Sequence, residues 1–272
     1  MTQISISNIA WDTRYDAQVA ELMEKHGVSF VDIAPSKYID ISSLNFLSKA
    51  KALREDWLSR GIHPLGMQSL LFGTEGLNVF GDVDTQARML SHLERVCAIG
   101  DVLNARLLVF GSPRNRDCTG LSAEEVRDRA VIFFKRLGDI AKKYNVVVCL
   151  EPNPVCYNSN FMTNSAETAE IVQYVGHENI KMQLDTGAMC INEEEQEGTL
   201  LLVKDYVAHI HISEPNLVPV CEYTQYQKAL APLIKQYFPT MPVTIEMLTR
   251  DNDLVLSDIE KSLKFVKALY QG

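Results

Sequence analysis

The stretch "ISISNIAWDTRYD" (residues 4–16) decides the fold. It starts as a short β-rich run and continues without a single glycine. An open, doubly wound sheet usually carries a Gly-rich phosphate turn right after its first strand, so this opening argues for a different parallel architecture. Seven further β-rich runs follow: "VSFVDIA" (28–34), "PLGMQSLL" (64–71), "ARLLVFG" (105–111), "NVVVCLE" (145–151), "IKMQLD" (180–185), "YVAHIHIS" (206–213) and "MPVTIEM" (241–247). Helical periodicity follows nearly every one. "YDAQVAELMEKHG" (15–27) ends in a glycine suited to a C-cap, and "SAEEVRDRAVIFFKRLGDIAKKYN" (122–145) begins Ser-x-x-Glu and carries an apolar stripe. "NSAETAEIVQYVG" (164–176) and "LSDIEKSLKFVKALY" (256–270) offer Ser165 and Ser257 as N-caps. The weakest helix is "INEEEQEGTLLLVKD" (191–205), which opens on an acidic run. Eight βα units in 272 residues predict a closed (β/α)8 TIM barrel, for which about 250 residues is typical. No linker or composition shift divides the chain, so residues 1–272 are expected to form one domain.

An apolar fraction of 46% and a charged fraction of 22% are those of a soluble globular protein. No apolar run approaches the about 18 residues that a membrane span needs. "MTQISISNIAWD" lacks the basic and apolar regions of a secretory signal, which predicts a cytoplasmic protein. The six cysteines, Cys97, Cys118, Cys149, Cys156, Cys190 and Cys221, have no C-x-x-C spacing and read as neither zinc ribbon nor disulfide framework. A net charge of −9 argues against a nucleic-acid partner.

Barrel enzymes place their chemistry at the C-terminal ends of the strands. At those positions in the second half of the chain stand Glu151, Asp185, His211 and Glu246, separated by 34, 26 and 35 residues, about one βα unit each. Any one of these carboxylates alone reads as a helix cap or surface group, and Asp185 before "TGA" as a turn residue. Together they would aim three carboxylates and an imidazole at one spot, where repulsion calls for a cation. The mixed oxygen and nitrogen set suits Mn²⁺, the first expectation, or Mg²⁺ or Co²⁺, with Zn²⁺ also compatible. In "VAHIHISEP" (207–215), His209 and His211 lie about 7 Å apart on one face of the strand. That leaves His209 one layer deeper, either a core histidine or a hydrogen-bonding support for the ligands. Glu214 falls on the following loop as a substrate contact.

"CLEPNP" (149–154), "QLDTG" (183–187), "HIHISEP" (209–215) and "VTIEM" (243–247), in that order, carry a family resemblance. The chain resembles the xylose-isomerase-like superfamily of TIM barrels, and within it the sugar isomerases and epimerases related to ketose 3-epimerases. The resemblance implies one divalent metal on Glu151, Asp185, His211 and Glu246, with Glu151 and Glu246 also acting as an acid/base pair on opposite faces of the substrate. The implied reaction is proton transfer in a ketose or ketose phosphate through a metal-bound cis-enediolate. It also implies a homodimer or homotetramer. Two departures bear on the substrate: Ala188 stands where many ketose 3-epimerases have a histidine, and "HISEPNLVP" (211–219) lacks their arginine.

Compensating contacts are expected from Gln68 in a lid-like loop "GMQSLLFGTEGLNVFGD" (66–82), from Arg114, Asn115 and Arg116 in "GSPRNRD" (111–117), and from Asn153 and Asn160. Among these, Gln68, Arg116 and Asn153, together with Glu214, form the expected substrate-binding set, and Trp11 is a candidate apolar wall. The rival readings are a hydroxypyruvate-type isomerase, an inosose or sugar-acid dehydratase and, more remotely, an abasic-site endonuclease. Against the last, "VFGSPRN" (109–115) and "DTGAM" (185–189) lack the extra histidines of a three-metal cluster. A barrel that keeps its metal only as a structural clip would show no activity to lose on chelation.

Overall fold

Eight short parallel strands close on themselves in a computed structural model that describes residues 2–251 and 253–272. In chain order the elements are β1 (Ile4–Ser7), α1 (Asp16–Lys25), β2 (Phe30–Ile33), α2 (Phe46–Ser59), β3 (His63–Met67), α3 (Val83–Leu103), β4 (Leu107–Phe110) and α4 (Ala123–Lys143). The second half adds β5 (Val147–Leu150), α5 (Ser165–Val175), β6 (Ile180–Asp185), α6 (Thr186–Ile191), α7 (Gln196–Val203), β7 (Val207–Ile212), α8 (Thr224–Tyr237), β8 (Val243–Ile245) and α9 (Val255–Gln271). Each strand pairs with the next, and β8 returns to β1 with Ile6 opposite Ile245, so the sheet has no free edge. The expected (β/α)8 barrel is the observed fold.

Local chemistry explains where the helices begin and end. Ser122 and Glu125 form the reciprocal capping box that opens α4. Gly27, at φ 65°, follows α1 in the left-handed region that a C-terminal glycine serves. Ser165 is not the cap of α5: Asn164 takes that place and accepts the Glu167 N–H at 2.9 Å. Ser257 lies within the first turn of α9, which starts at Val255 without a side-chain cap. The acidic run of the sixth unit splits the helix in two, because Glu195 turns back to cap α7, accepting the Gly198 N–H at 2.6 Å. Among the described residues no helix is long and apolar enough to cross a membrane.

One strand face packs against the helices, as where Phe110 of β4 meets Phe134 of α4 edge-to-face with centroids 5.5 Å apart. The interior carries a layer that is polar rather than branched aliphatic. Ser5 Oγ donates to Asp32 at 2.9 Å, Asp32 lies 2.9 Å from His209 Nε2, and His209 Nδ1 lies 2.6 Å from Gln183 Oε1. Thr244 Oγ1 lies 3.2 Å from the same His209 Nε2. All five side chains are fully buried, so strands β1, β2, β6, β7 and β8 are linked across the barrel by hydrogen bonds and the close Asp32–His209 ion-pair contact. Gly66 makes room for it, since a Cβ there would lie 2.8 Å from Asp32 Oδ2.

Candidate active site

The polar layer supports a second cluster one step nearer the strand ends. Glu151 follows β5, Asp185 ends β6, His211 lies near the end of β7 and Glu246 follows β8. His211 Nδ1 is 3.3 Å from Glu151 Oε1, 3.2 Å from Glu246 Oε2 and 4.0 Å from Asp185 Oδ2. Each of the four offers one ligand-type atom, and these atoms all lie within 4.8 Å of one another. Four residues spread over nearly a hundred positions are thus brought to one point by the parallel strand order.

Neighbours orient every carboxylate. Glu246 Oε1 accepts from Gln68 Nε2 at 2.7 Å, and Glu151 Oε2 accepts from Asn153 Nδ2 at 3.3 Å. Asp185 has two partners: it caps α6 through the Ala188 N–H at 2.6 Å and accepts Ser213 Oγ at 2.7 Å. It is therefore both the turn residue that "TGA" suggests and a member of the cluster. Gly111 is what lets Glu151 in, because a Cβ there would sit 1.8 Å from Glu151 Oε2. Behind it, fully buried Arg116 donates Nη1 to the Glu151 carbonyl at 2.7 Å and Nη2 to the Gly111 carbonyl at 3.4 Å.

The charges do not balance. Burial, then repulsion from Glu246 and Glu151, pushes the Asp185 carboxyl up to about 8. Burial alone would lower His211, but Glu246 and Glu151 hold its imidazolium well above the ordinary range. Glu246 is lowered: burial opposes its ionisation, yet His211 and the Gln68 hydrogen bond outweigh that cost. His211 Nδ1 and Nε2 and Glu151 Oε1 are buried with no aligned hydrogen-bond partner. Excess acid, orphaned donor atoms at ion-pair distance and a hard donor set fit a divalent cation held by these four side chains.

Two adjoining cavities open onto the cluster. One of about 420 Å³ is lined by Glu151, Asp185 and Glu246 together with Pro113, Pro152, Asn153, Pro154, Tyr157, Ala188, Glu214 and Leu217. The other, about 270 Å³, is lined by Gln68, Ser69, Leu70, Leu71 and Phe72 on one side and Val109–Ser112 on the other, and it shares Glu151, Leu217 and Glu246. Gln68, Asn153 and Glu214 therefore reach the pocket. Glu214 Oε2 accepts the Glu222 and Tyr223 N–H groups at 2.9 Å each, leaving Oε1 unpartnered.

Other expected contacts are placed elsewhere. Arg116 is not brought to either cavity wall; its fully buried guanidinium clamps backbone instead. Asn115 ties the loop inward, donating to the Leu77 carbonyl at 2.9 Å, and Arg114 is exposed. Asn160 binds Asp117 at 2.7 Å, and buried Trp11 donates to Asp16 at 2.7 Å. The nitrogens of His209 meet Gln183, Asp32 and Thr244 rather than the cluster, but its ring packs edge-on against His211 with centroids 5.0 Å apart. Sequence reasoning missed Asp32, Gln183 and Ser213. The available signal was a polar residue inside an otherwise apolar strand, singly in "FVDI" (30–33) and at period 2 in "IKMQLD" (180–185). It also missed the left-handed backbone of Asn216 and Leu217, at φ 60° and 53°, a strained non-glycine pair at the pocket wall.

The sequence profile of a family described as "Xylose isomerase-like TIM barrel" matches residues 6–269. D-psicose 3-epimerase of Ruminiclostridium cellulolyticum is 31% identical over 90 residues, which are 33% of this chain and 30% of that protein. The aligned part thus spans less than a third of that relative. Among solved structures, D-psicose 3-epimerase of Clostridium cellulolyticum H10, described with D-tagatose, superposes with a TM-score of 0.81 at 18% identity, covering 99% of both chains. L-ribulose 3-epimerase gives 0.80 at 15% identity, covering 100% of this chain and 95% of that one.

Proposed function

The chain belongs to the xylose isomerase-like TIM barrel family, and from that premise we propose that it is a divalent-cation-dependent carbohydrate epimerase or isomerase, read most closely as a ketose 3-epimerase. One observation carries this reading: four strand ends offer Glu, Asp, His and Glu atoms within 4.8 Å, in a cluster with too much acid and orphaned donors.

Glu151, Asp185, His211 and Glu246 would hold the cation, with Mn²⁺ the first candidate. The bound ion would draw electron density from a sugar carbonyl and so acidify the neighbouring C–H. Glu151 and Glu246 do the proton work: one takes the proton from carbon and the other returns one to the opposite face, which inverts that carbon. Gln68 and Asn153 hold the two carboxylates in place. Asp185 is fixed by the Ser213 hydroxyl and the Ala188 N–H, which leaves it a positioning group rather than a free base. The proline-rich wall of Pro113, Pro152 and Pro154 offers no N–H groups to a ligand.

The test is deuterium exchange followed by NMR in D₂O with Mn²⁺-loaded protein and a panel of ketoses, ketose phosphates and small hydroxy-keto acids. Deuterium next to the carbonyl, abolished by EDTA and by Glu246→Gln, is the expected result. The labelled carbon separates epimerisation from aldose–ketose isomerisation. No exchange on any of them by protein that binds stoichiometric cation would sink the proposal.

A further inference from the structure

The cavities also bear on the kind of sugar, an inference that rests on the proton-transfer reading above. Charge comes first. Glu151, Asp185, Glu214 and Glu246 line the larger cavity, and no Lys or Arg lines either cavity among the described residues. Arg114, next to the lining residue Pro113, is exposed and lines neither cavity, and Arg116 is fully buried and spends Nη1 and Nη2 on the Glu151 and Gly111 carbonyls. A divalent cation offsets only part of this acid. A phosphate or carboxylate on the substrate would meet negative potential with no cationic side chain to pair with.

Shape and polarity come next. The larger cavity, about 420 Å³, already lies within the ~300–1,000 Å³ of ordinary ligand sites and carries the acidic cluster, so it seats the reacting sugar. The smaller one, about 270 Å³, is walled by Ile9, Leu70, Leu71, Phe72, Val109 and Phe110. Two of its polar groups are committed, since Gln68 Nε2 donates to Glu246 and Ser112 Oγ donates to Asn115 Oδ1 at 2.6 Å, which leaves Gln68 Oε1 and Ser69 beside the apolar wall. Leu70 and Leu71 are buried, yet Phe72 beside them is 75% exposed. An aromatic ring left in water at the rim of an apolar cavity gains burial when an apolar group enters beneath it. The two cavities meet at Glu151, Leu217 and Glu246, so a single molecule spans both.

We propose that the substrate is an uncharged keto sugar carrying an apolar substituent away from the reacting carbon, with the sugar over Glu151 and Glu246 and the substituent in the cavity beneath Phe72. The chemistry is unchanged: one C–H bond breaks, its proton goes to a carboxylate, and a new C–H bond forms on the other face with no net oxidation.

The test compares D-fructose, its 1-O- and 6-O-benzyl ethers and D-fructose 6-phosphate. Binding to Mn²⁺-loaded Glu246→Gln protein is measured by calorimetry, and deuterium exchange is measured with the loaded wild-type protein. One benzyl ether is expected to bind about tenfold or more tighter than D-fructose, with the phosphate weakest. Phe72→Ala should bring the benzyl-to-free ratio toward one, whereas Ile132→Ala, an exposed apolar change on α4, should leave the ratio unaltered. Equal binding of free and benzylated sugar, or preference for the phosphate, overturns the inference. Tight benzyl binding without any exchange in wild-type protein would instead count against the proton-transfer reading and leave the pocket preference standing. If no sugar binds or exchanges, both fall.

Discussion

Gln68 and Glu246, 178 residues apart in the chain, meet through a 2.7 Å hydrogen bond in which the amide donates to the carboxylate. This bond helps hold Glu246 ionised against the cost of burial. Gln68→Ala should therefore raise the Glu246 pKa and move the acid limb of the pH–rate profile to higher pH. An accompanying loss of about 10–100-fold in turnover is expected, the usual range for partners of metal-holding groups. An unchanged acid limb would show that Gln68 does not tune this carboxylate.

Gly111 and Glu151 are similarly linked. A methyl group at position 111 would lie 1.8 Å from Glu151 Oε2, far inside van der Waals contact. Gly111→Ala should displace the carboxylate and cut activity by about 10²-fold or more, the scale for losing a general base. The residue is only half-buried after β4, so the thermal midpoint should move by no more than a few degrees.

Cation-free protein should lose stability as pH rises. Asp185 is pushed to about 8 in the fold from an ordinary 3.8, so the folded state holds its proton more tightly than the unfolded chain does. The resulting stabilisation is present below pH 4 and is lost as pH climbs through about 8. His211, also raised, acts in the same direction above its ordinary value of 6.5. EDTA-treated protein should therefore melt at progressively lower temperature from pH 5 to pH 9, at roughly 2–4 °C per kcal/mol. Asp185→Asn should flatten the slope, and added Mn²⁺ should stabilise more at pH 8 than at pH 5.

The Asp32–His209 pair sits wholly out of water at 2.9 Å. Burial opposes the Asp32 charge, but His209, His211 and the Ser5 hydroxyl together outweigh it and lower the carboxyl. Asp32→Ala should cost about 3–5 kcal/mol in urea unfolding, because it strands a buried imidazole. A loss below about 1 kcal/mol would mean the pair contributes nothing net.

Periodicity told a good deal. Eight β-rich runs and their helices were visible one by one, and the missing glycine after β1 separated a closed barrel from an open sheet. The four cluster residues were legible for the same reason: a parallel barrel sends every strand's C-terminal end to one rim, so sequence spacing converts to spatial convergence. Gln68, Asn153 and Glu214 also lie at the pocket as expected. Arg116 shows where that logic ends. Its position after β4 was correct for a rim residue, yet its side chain turned inward to backbone carbonyls, a choice made by packing around a guanidinium that no local pattern encodes.

What the sequence determined by itself was therefore the strand count, the closure and the residue types at the rim, because these depend on local propensity and on a repeat of one βα unit. The tertiary structure alone decided the rest. It threaded Ser5, Asp32, His209, Gln183 and Thr244 into one buried network and bent Asn216 and Leu217 into the left-handed region. It also left Phe72 in water above an apolar cavity. Hydrogen bonds across a barrel and the walls of a cavity depend on where several distant side chains settle at once, and that is set by mutual packing rather than by any window of the chain.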